Sequence, residues 1–423
     1  MKKLLIAMML PIMVYAQAQT LEECQQAAER NYPMIRQYDL IAKTTDLTVN
    51  NIQRGWLPQV SASAQATLQS DVTAFPDRIQ QVYQTMGIDM KGLRKDQYRV
   101  GIDVQQTVFD GGAISSQKGI ARMQGEVQTA QTEVNLYHVR QRVNEMYFAL
   151  LLLDEQIVLN RDLQELLAQN ENKLSSMFKN GTAAECDYLN VKAERLNVVQ
   201  QKTSLESRRN TLLKMLSAFC GMEVKTPVRP AGVSRVSTID NGRPELKAFD
   251  AQLRLADAQE KVLDARLMPK LGVFAQGFYG YPGYNMFEDM MGRKWSLNGI
   301  IGVRLTWNMG ALYTRKNDKA KIQLQRETAE NQRDVFLFNN QLEQIQQNED
   351  ISRFQKLMAD DEEIVSLRSN IRKAAESKLQ HDIIDVNDLV REINAENAAR
   401  VQRSIHEIEM LKEIYNLKYT LNK

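Results

Sequence analysis

The chain is poor in cysteine, proline and aromatics, and carries no excess of either charge. Its three cysteines, Cys24, Cys186 and Cys220, cannot all pair within one chain, so no disulfide framework organises the fold. They show neither CxxC nor Cys/His spacing and read as small buried or idle thiols; no metal site is expected. The three histidines, His138, His381 and His406, are scattered, with no HExxH arrangement. With 54 Lys+Arg against 52 Asp+Glu, the net charge of +2 lacks the basic surplus of a dedicated nucleic-acid binder. Nine prolines and 20 glycines in 423 residues exclude collagen-like and low-complexity chains. GxSxG, Walker and Rossmann signatures are missing, so the chain does not read as an enzyme and no cofactor is expected.

Long apolar runs are missing too. Mean hydropathy is −0.43. Beyond the N-terminus the longest uninterrupted apolar run is Met146 to Leu153, well short of the roughly 20 residues a spanning helix needs. A membrane role must therefore use strands. Residues 1–18 read as an export signal: Lys2 and Lys3 are followed by the apolar stretch Leu4 to Val14 and by the small-x-small site Ala16-Gln17-Ala18.

What the sequence does have is a repeat. Asn31-Tyr-Pro33 is matched by Gly242-Arg-Pro244, and 25 residues separate Pro33 from Pro58 as they separate Pro244 from Pro269. Phe109-Asp110-Gly111-Gly112 is matched by Trp307-Asn308-Met309-Gly310. The expected organisation is a leader over 1–18, a first repeat over 19–220, a linking segment over 221–241 that wraps the outside, and a second repeat over 242–423. Each repeat reads helix, hairpin, helix, tip, helix. The first helix is expected from Leu21 to Arg54 and its counterpart from Pro244 to Arg266, with Pro58 and Pro269 at the helix-to-strand switches.

After each switch the period becomes two. Val60, Ala62, Ala64, Ala66 and Leu68 alternate with polar residues that include Gln65. Tyr98, Val100, Ile102 and Val104 alternate with Arg99 and Asp103, after which Gln106 breaks the apolar face. Leu297, Ile301, Val303 and Leu305 alternate with Asn298, Arg304 and Thr306. The third segment, Leu271 to Tyr281, is weaker because Phe274 and Phe278 fall on the polar side. Strands of this length and pattern suit a membrane barrel wall, and also a sheet with one face on a soluble core. The export signal favours the wall, as do aromatics at two levels: Trp56, Phe109 and Trp307 at one, Tyr98, Tyr281 and Trp295 at the other. Gln65, Arg99, Asp103, Asn298 and Arg304 would then line the pore by parity, and four strands per chain would require several copies to close a barrel. The exposed loops span 70–97 and Gly283 to Lys294; Met286, Met290 and Met291 in the second do not define a metal site.

The remaining sequence is helical, from Ala113 to Lys179 and from Leu312 to Leu379, with apolar residues at threes and fours. The first would be about 100 Å long. Each run turns at a tip, Asn180 to Asp187 or Gln380 to Asp388, and returns as a helix. The second tip carries Asp382, Asp385 and Asp388, which read either as an acidic ring in a symmetric oligomer or as ordinary turn and N-cap residues.

Together, the twofold repeat, the Pro58 and Pro269 switches, Phe109-Asp-Gly-Gly112, and Asn180-Gly-Thr182 followed by Asp187 resemble the TolC-like outer-membrane efflux protein family. The resemblance covers essentially the whole mature chain. It implies a membrane α+β fold: a homotrimer with one 12-stranded β-barrel in outer-membrane lipid, continued into the periplasm of a Gram-negative bacterium by an α-helical barrel of coiled-coil hairpins. It further implies an exit duct for a tripartite efflux or type I secretion system. The partners would be a periplasmic adaptor and an inner-membrane transporter of RND, ABC or MFS type, and no nucleic acid. Asp187, Asp382, Asp385, Asn387 and Asp388 would lie at the periplasmic entrance; Gly181, Thr182 and His381 would meet the adaptor. Phe109, Asp110, Gly111, Gly112, Trp307 and Gly310 would form the strand-to-helix turns. The second tip departs from the family in having His381-Asp382-Ile383 for a Gly-Thr-Arg run and Asn387 for an acidic residue. The rival reading is an exported coiled-coil adaptor or scaffold without a channel.

Overall fold

The computed structural model describes residues 19–230, 241–381 and 383–422. The expected leader over 1–18, part of the linking segment (231–240) and Asp382 lie outside the described residues. The chain divides into two compact units, each drawing on both sequence repeats. One consists of Asp39–Thr129 with Phe249–Asn331; the other takes in the chain up to Tyr38, Ala130–Ala248 and Gln332 onward.

The first unit is built around a four-stranded antiparallel sheet, β1 (Gln59–Leu68), β2 (Asp96–Phe109), β3 (Lys270–Tyr281) and β4 (Ser296–Thr306), in sequential order. β1 and β4 are its two open edges. The helix α2 (Gln37–Gln53) leads through a 3-10 turn at Arg54–Trp56 and Pro58 into β1. The helix α6 (Pro244–Arg266) leads through Pro269 into β3. Here the single first helix expected from Leu21 to Arg54 is corrected. The chain forms α1 (Leu21–Asn31), then a 3-10 turn with Pro33 at its first position, then α2. Pro33 has no N–H to donate, so the α-helical ladder cannot run through it, and Tyr32 before it is extended (φ −62°, ψ 128°).

The loops of this unit hold more structure than their sequence implies. α3 (Asp77–Thr85) and α7 (Met286–Gly292) form in them, and Leu93, Tyr281 and Met290 are buried together against Val72 and Phe75. Tyr281, expected in an exposed aromatic belt, is instead buried: its hydroxyl accepts from the Arg94 N–H (3.0 Å) and donates to the Asp289 carbonyl (3.2 Å). Arg293 ties the second loop to the first by donating to the Gly92 and Lys91 carbonyls.

The second unit is helical. α4 (Ala113–Lys179) and α8 (Ala311–Gln380) are the two long helices and extend into it; α5 (Glu185–Cys220) and α9 (Val386–Leu421) are their returning partners. One core cluster joins Leu21, Cys24 and Ala28 of α1 to Val143, Tyr147 and Leu150 of α4, Leu216 of α5 and Ile408 and Leu411 of α9. A second joins Leu163, Leu167 and Leu174 to Val191, Val198, Leu389 and Ile393. These are the apolar positions at threes and fours, which meet because residues three and four apart share a helix face. α1 begins with a capping box: Glu23 N–H donates to the Thr20 hydroxyl, and Thr20 N–H donates to the Glu23 carboxylate.

The repeat persists at the ends of the returning helices, with its parts exchanged. α5 stops at Gly221 and α9 at Asn422, both in the left-handed region (φ 66° and 56°). In the first repeat Asn31 donates to the Ala218 and Phe219 carbonyls, and a Cβ on Gly221 would stand 2.4 Å from the Asn31 side chain. In the second repeat glycine is at 242, and Asn422 donates to its carbonyl (2.6 Å). Beside these pairs Tyr32 stacks on Phe219 (5.7 Å), and Arg243 lies over Tyr419 (4.7 Å) and Tyr137 (5.0 Å) while pairing with Glu245. Of the linking segment, residues 221–230 run past Gln19: Gln19 bridges to Pro227, and Tyr147 hydroxyl donates to Gln19 and Val228 carbonyls.

Candidate functional site

In an antiparallel sheet, directly paired residues project to the same face, so the strand register assigns every side chain. One face carries Val60–Val104–Ala275–Ile301, Ala64–Val100–Tyr279–Leu297 and Gln106–Val273–Val303. It is apolar and uncovered: Leu297 is 82% and Ile301 83% exposed. A register shift between Thr107 and Phe109 returns Phe109 to this face opposite Leu271, which repairs the break at Gln106. Tyr98 stacks on Trp295 (6.0 Å), and Trp295 also meets Tyr279 (5.4 Å).

The opposite face gathers all five residues expected there. Gln65 pairs with Arg99; Asp103 pairs with Gln276 and accepts a hydrogen bond from its amide; Asn298 is opposite Phe278, and Arg304 opposite Gly272. Asn298 donates to the Ser296 hydroxyl (2.9 Å) and accepts from Tyr284 N–H (2.7 Å). Phe274 and Phe278 belong to this polar face as well, and the structure explains them. Phe278 is opposite Gly101 and Phe274 opposite Gly302, so each phenylalanine faces a glycine, and the Phe274 ring lies over Gly302. A Cβ would come within 2.9 Å of Phe278 at Gly101 and 2.8 Å of Phe274 at Gly302. Arg99 and Arg304 then cover the rings, with guanidinium carbons 3.7 and 4.7 Å from the centroids. The two phenylalanines were absent from the expected lining; the facing glycines were their signal in the sequence.

The strand-to-helix turns are set by side chains. Asp110 is buried and receives hydrogen bonds from Gly112 N–H (2.9 Å) and Ile114 N–H (2.6 Å), capping α4. Gly111 and Gly112 are left-handed (φ 68° and 86°), and a Cβ at Gly111 would meet Met268 at 2.3 Å. In the second repeat Trp307 donates from its indole to the Leu267 carbonyl (3.0 Å), and Gly310 lies beside Asn308.

At the first tip Gly181 is left-handed (φ 74°), and Thr182 hydroxyl donates to Met177 carbonyl (3.0 Å). Asp187 accepts from Ala184 N–H (3.1 Å) across the first turn of α5. At the second tip Asp385 is the N-cap of α9 and accepts from Asp388 N–H (2.8 Å). Asp388 pairs with Arg391 (3.0 Å), and His381 holds Ser377 carbonyl (2.8 Å). Asn387 accepts weakly from Asn190 in the first turns of α5 (3.4 Å), a partner the sequence does not single out. Above the tips Glu396 is buried between Arg372 (2.5 Å) and Arg400 (2.7 Å). Burial raises its pKa, but the hydrogen bonds from Arg400 and Arg372 outweigh that and hold it below 4.5.

Among the described residues no helix is long and apolar enough to cross a membrane, and no cluster of His, Cys, Asp and Glu could hold a metal. No family model matches the chain, and no curated protein matches it in sequence. Solved structures do match, over 95% of the chain. The outer-membrane channel OprN aligns with a TM-score of 0.67 at 14% identity over 89% of its own chain. The CmeC outer membrane channel of Campylobacter jejuni gives 0.65 at 12% over 85%, and the outer membrane protein VceC of Vibrio cholerae 0.65 at 14% over 94%. This chain therefore has the fold of those channels.

Proposed function

We propose that the chain is an outer-membrane efflux channel of the TolC-like family, acting as a homotrimer. The observation that carries this reading is the sheet: one face apolar and uncovered, the other polar and also open, with unpaired edges at β1 and β4. In lipid every backbone N–H and C=O needs a partner, so those edges must pair with other copies. Two copies would give eight strands, whose interior side chains fill. Three give twelve and leave a lumen, lined by Gln65, Arg99, Asp103, Asn298 and Arg304.

Such a duct does no bond chemistry. It provides a wet path across the outer membrane, and the energy comes from an inner-membrane transporter of RND, ABC or MFS type that reaches it through a periplasmic adaptor. The shared fold with OprN, CmeC and VceC supports this placement. The helical tips form the periplasmic entrance, where Asp187, Asp382, Asp385, Asn387 and Asp388 are the acidic and polar groups, and Gly181, Thr182 and His381 face the adaptor. Asp385 and Asp388 supply the acidic character that Asn387 lacks. Replacing both by alanine is expected to lower cation preference and weaken block by trivalent cations; unchanged conductance, selectivity and block would remove them from the entrance.

The deciding measurement is extraction and conductance. A detergent-requiring outer-membrane trimer that conducts in planar bilayers is expected. A soluble periplasmic monomer would overturn the channel and leave the exported adaptor or scaffold.

A further inference from the structure

Cys24 and Cys220 stand 196 residues apart in the sequence and together in the fold. Cys24 lies on α1 and Cys220 is the last residue of α5. Both are buried in the core cluster of Leu21, Val143, Tyr147 and Leu216, whereas Cys186 is exposed at the first tip. The Cys220 thiol donates to the Cys24 carbonyl (3.4 Å). The contact is held from outside: Tyr32 stacks on Phe219, and Asn31 donates to Ala218 and Phe219 carbonyls at 3.1 Å. The Cys220 sulfur thus lies beside the Cys24 backbone, and the two side chains share one buried cluster.

A buried thiol pair has different fates in different compartments. Under reducing conditions it persists as two small apolar side chains. In an exported chain, oxidation is the normal outcome for adjacent thiols. We propose that Cys24 and Cys220 form a disulfide that clamps α1 onto the end of the α4–α5 hairpin; this rests on the export assumed in the channel reading. The bond forms while the chain folds, because both cysteines are buried in the folded core, where an oxidant does not reach them. One cysteine thiolate attacks a sulfur of a protein or low-molecular-weight disulfide, forming a mixed disulfide and expelling one thiolate. The second cysteine thiolate attacks the mixed disulfide, closes the Cys24–Cys220 bond and expels the other thiolate. The oxidant gains two electrons and, with the two cysteine protons, leaves as two thiols.

The test is a thiol count on the full chain recovered from the cell envelope. Cells are quenched with an alkylating reagent, and the chain is denatured in more reagent and weighed. One adduct per chain, at Cys186, is expected, rising to three after reduction, with a reducible peptide linking Cys24 to Cys220. Three adducts before reduction, on a chain recovered from the outer membrane, would overturn the disulfide, as would a link that involves Cys186. Recovery in the cytoplasm would instead overturn the channel reading. Refolding the purified chain in a glutathione redox buffer then decides the pair alone: failure to link Cys24 with Cys220 overturns it.

Discussion

Arg99 lies over the ring of Phe278 with 3.7 Å between guanidinium carbon and centroid, and Gly101 is the residue directly opposite Phe278. The three lie together across β2 and β3 on the polar face, so an aromatic that looks misplaced in sequence is 4% exposed. Phe278→Ala should cost about 3 kcal/mol or more through the cavity it leaves. Gly101→Val should cost about 1–3 kcal/mol through overpacking against the Phe278 Cβ and the Gly277 carbonyl. Arg99→Ala, which only uncovers the ring, should cost about 0.5–1 kcal/mol. The dissociation temperature of the detergent-solubilised oligomer ranks the three, and an Arg99 variant less stable than the Phe278 variant would contradict the stack.

Ile300 and Ile301 are neighbours in β4 on opposite faces, Ile300 paired with Gln276 and Ile301 with Ala275. If the apolar face meets lipid, Ile301→Arg should lower stability by about 2–4 kcal/mol, the cost of a cation near the bilayer midplane. Ile300→Arg should be tolerated in a wet lumen. Denaturant titrations of both variants refolded into vesicles check the parity, and equal losses would refute the assignment of faces.

Asp110 satisfies two backbone N–H groups at the start of α4. Asp110→Ala should cost about 1–2 kcal/mol, with Asp110→Asn recovering part of it. The expected mark is faster hydrogen exchange confined to residues 112–116; exchange unchanged there would show that the cap is dispensable.

Glu396 is ionised between Arg372 and Arg400, and its pKa in the fold lies below the ordinary 4.5. A depressed carboxylate pKa adds stability that is fully present above pH 4.5 and disappears as pH falls through the lowered value. Glu396→Ala should cost about 1–3 kcal/mol at neutral pH through the lost charged hydrogen bonds, since Arg372 keeps Glu376 and Arg400 is half exposed. As pH falls through that lowered pKa, the stability of the parent should approach that of the variant, measured by denaturant unfolding of the helical hairpins at each pH.

How far the sequence reveals this molecule depends on whether a feature repeats. Strand limits, open edges and the polar set Gln65, Arg99, Asp103, Asn298 and Arg304 follow from a period of two, and the long helices from a period of three and four. The loop core of Leu93, Tyr281 and Met290 follows from neither, since its members come from distant positions with no common spacing. Tyr281 terminates a strand and looked like an interfacial aromatic, but the loops cover it. For Asp385 the sequence leaves an acidic ring and an N-cap both open, and the fold shows the cap, since Asp385 is extended and accepts from Asp388 N–H. The contact of Cys24 with Cys220 depends on α1 docking at the far end of α5, which no local pattern encodes.

The exchanged pairs Asn31–Gly221 and Gly242–Asn422 bear on the inheritance of the chain. Each latch joins a residue near the start of a repeat to one at or just past the end of its returning helix. A duplication or loss of a whole repeat leaves every latch matched. A crossover inside a repeat joins asparagine to asparagine in one product and glycine to glycine in the other, crowding the first junction and emptying the second. Two similar halves can therefore diverge in one chain while gene conversion between them is penalised at every breakpoint that separates a latch from its partner.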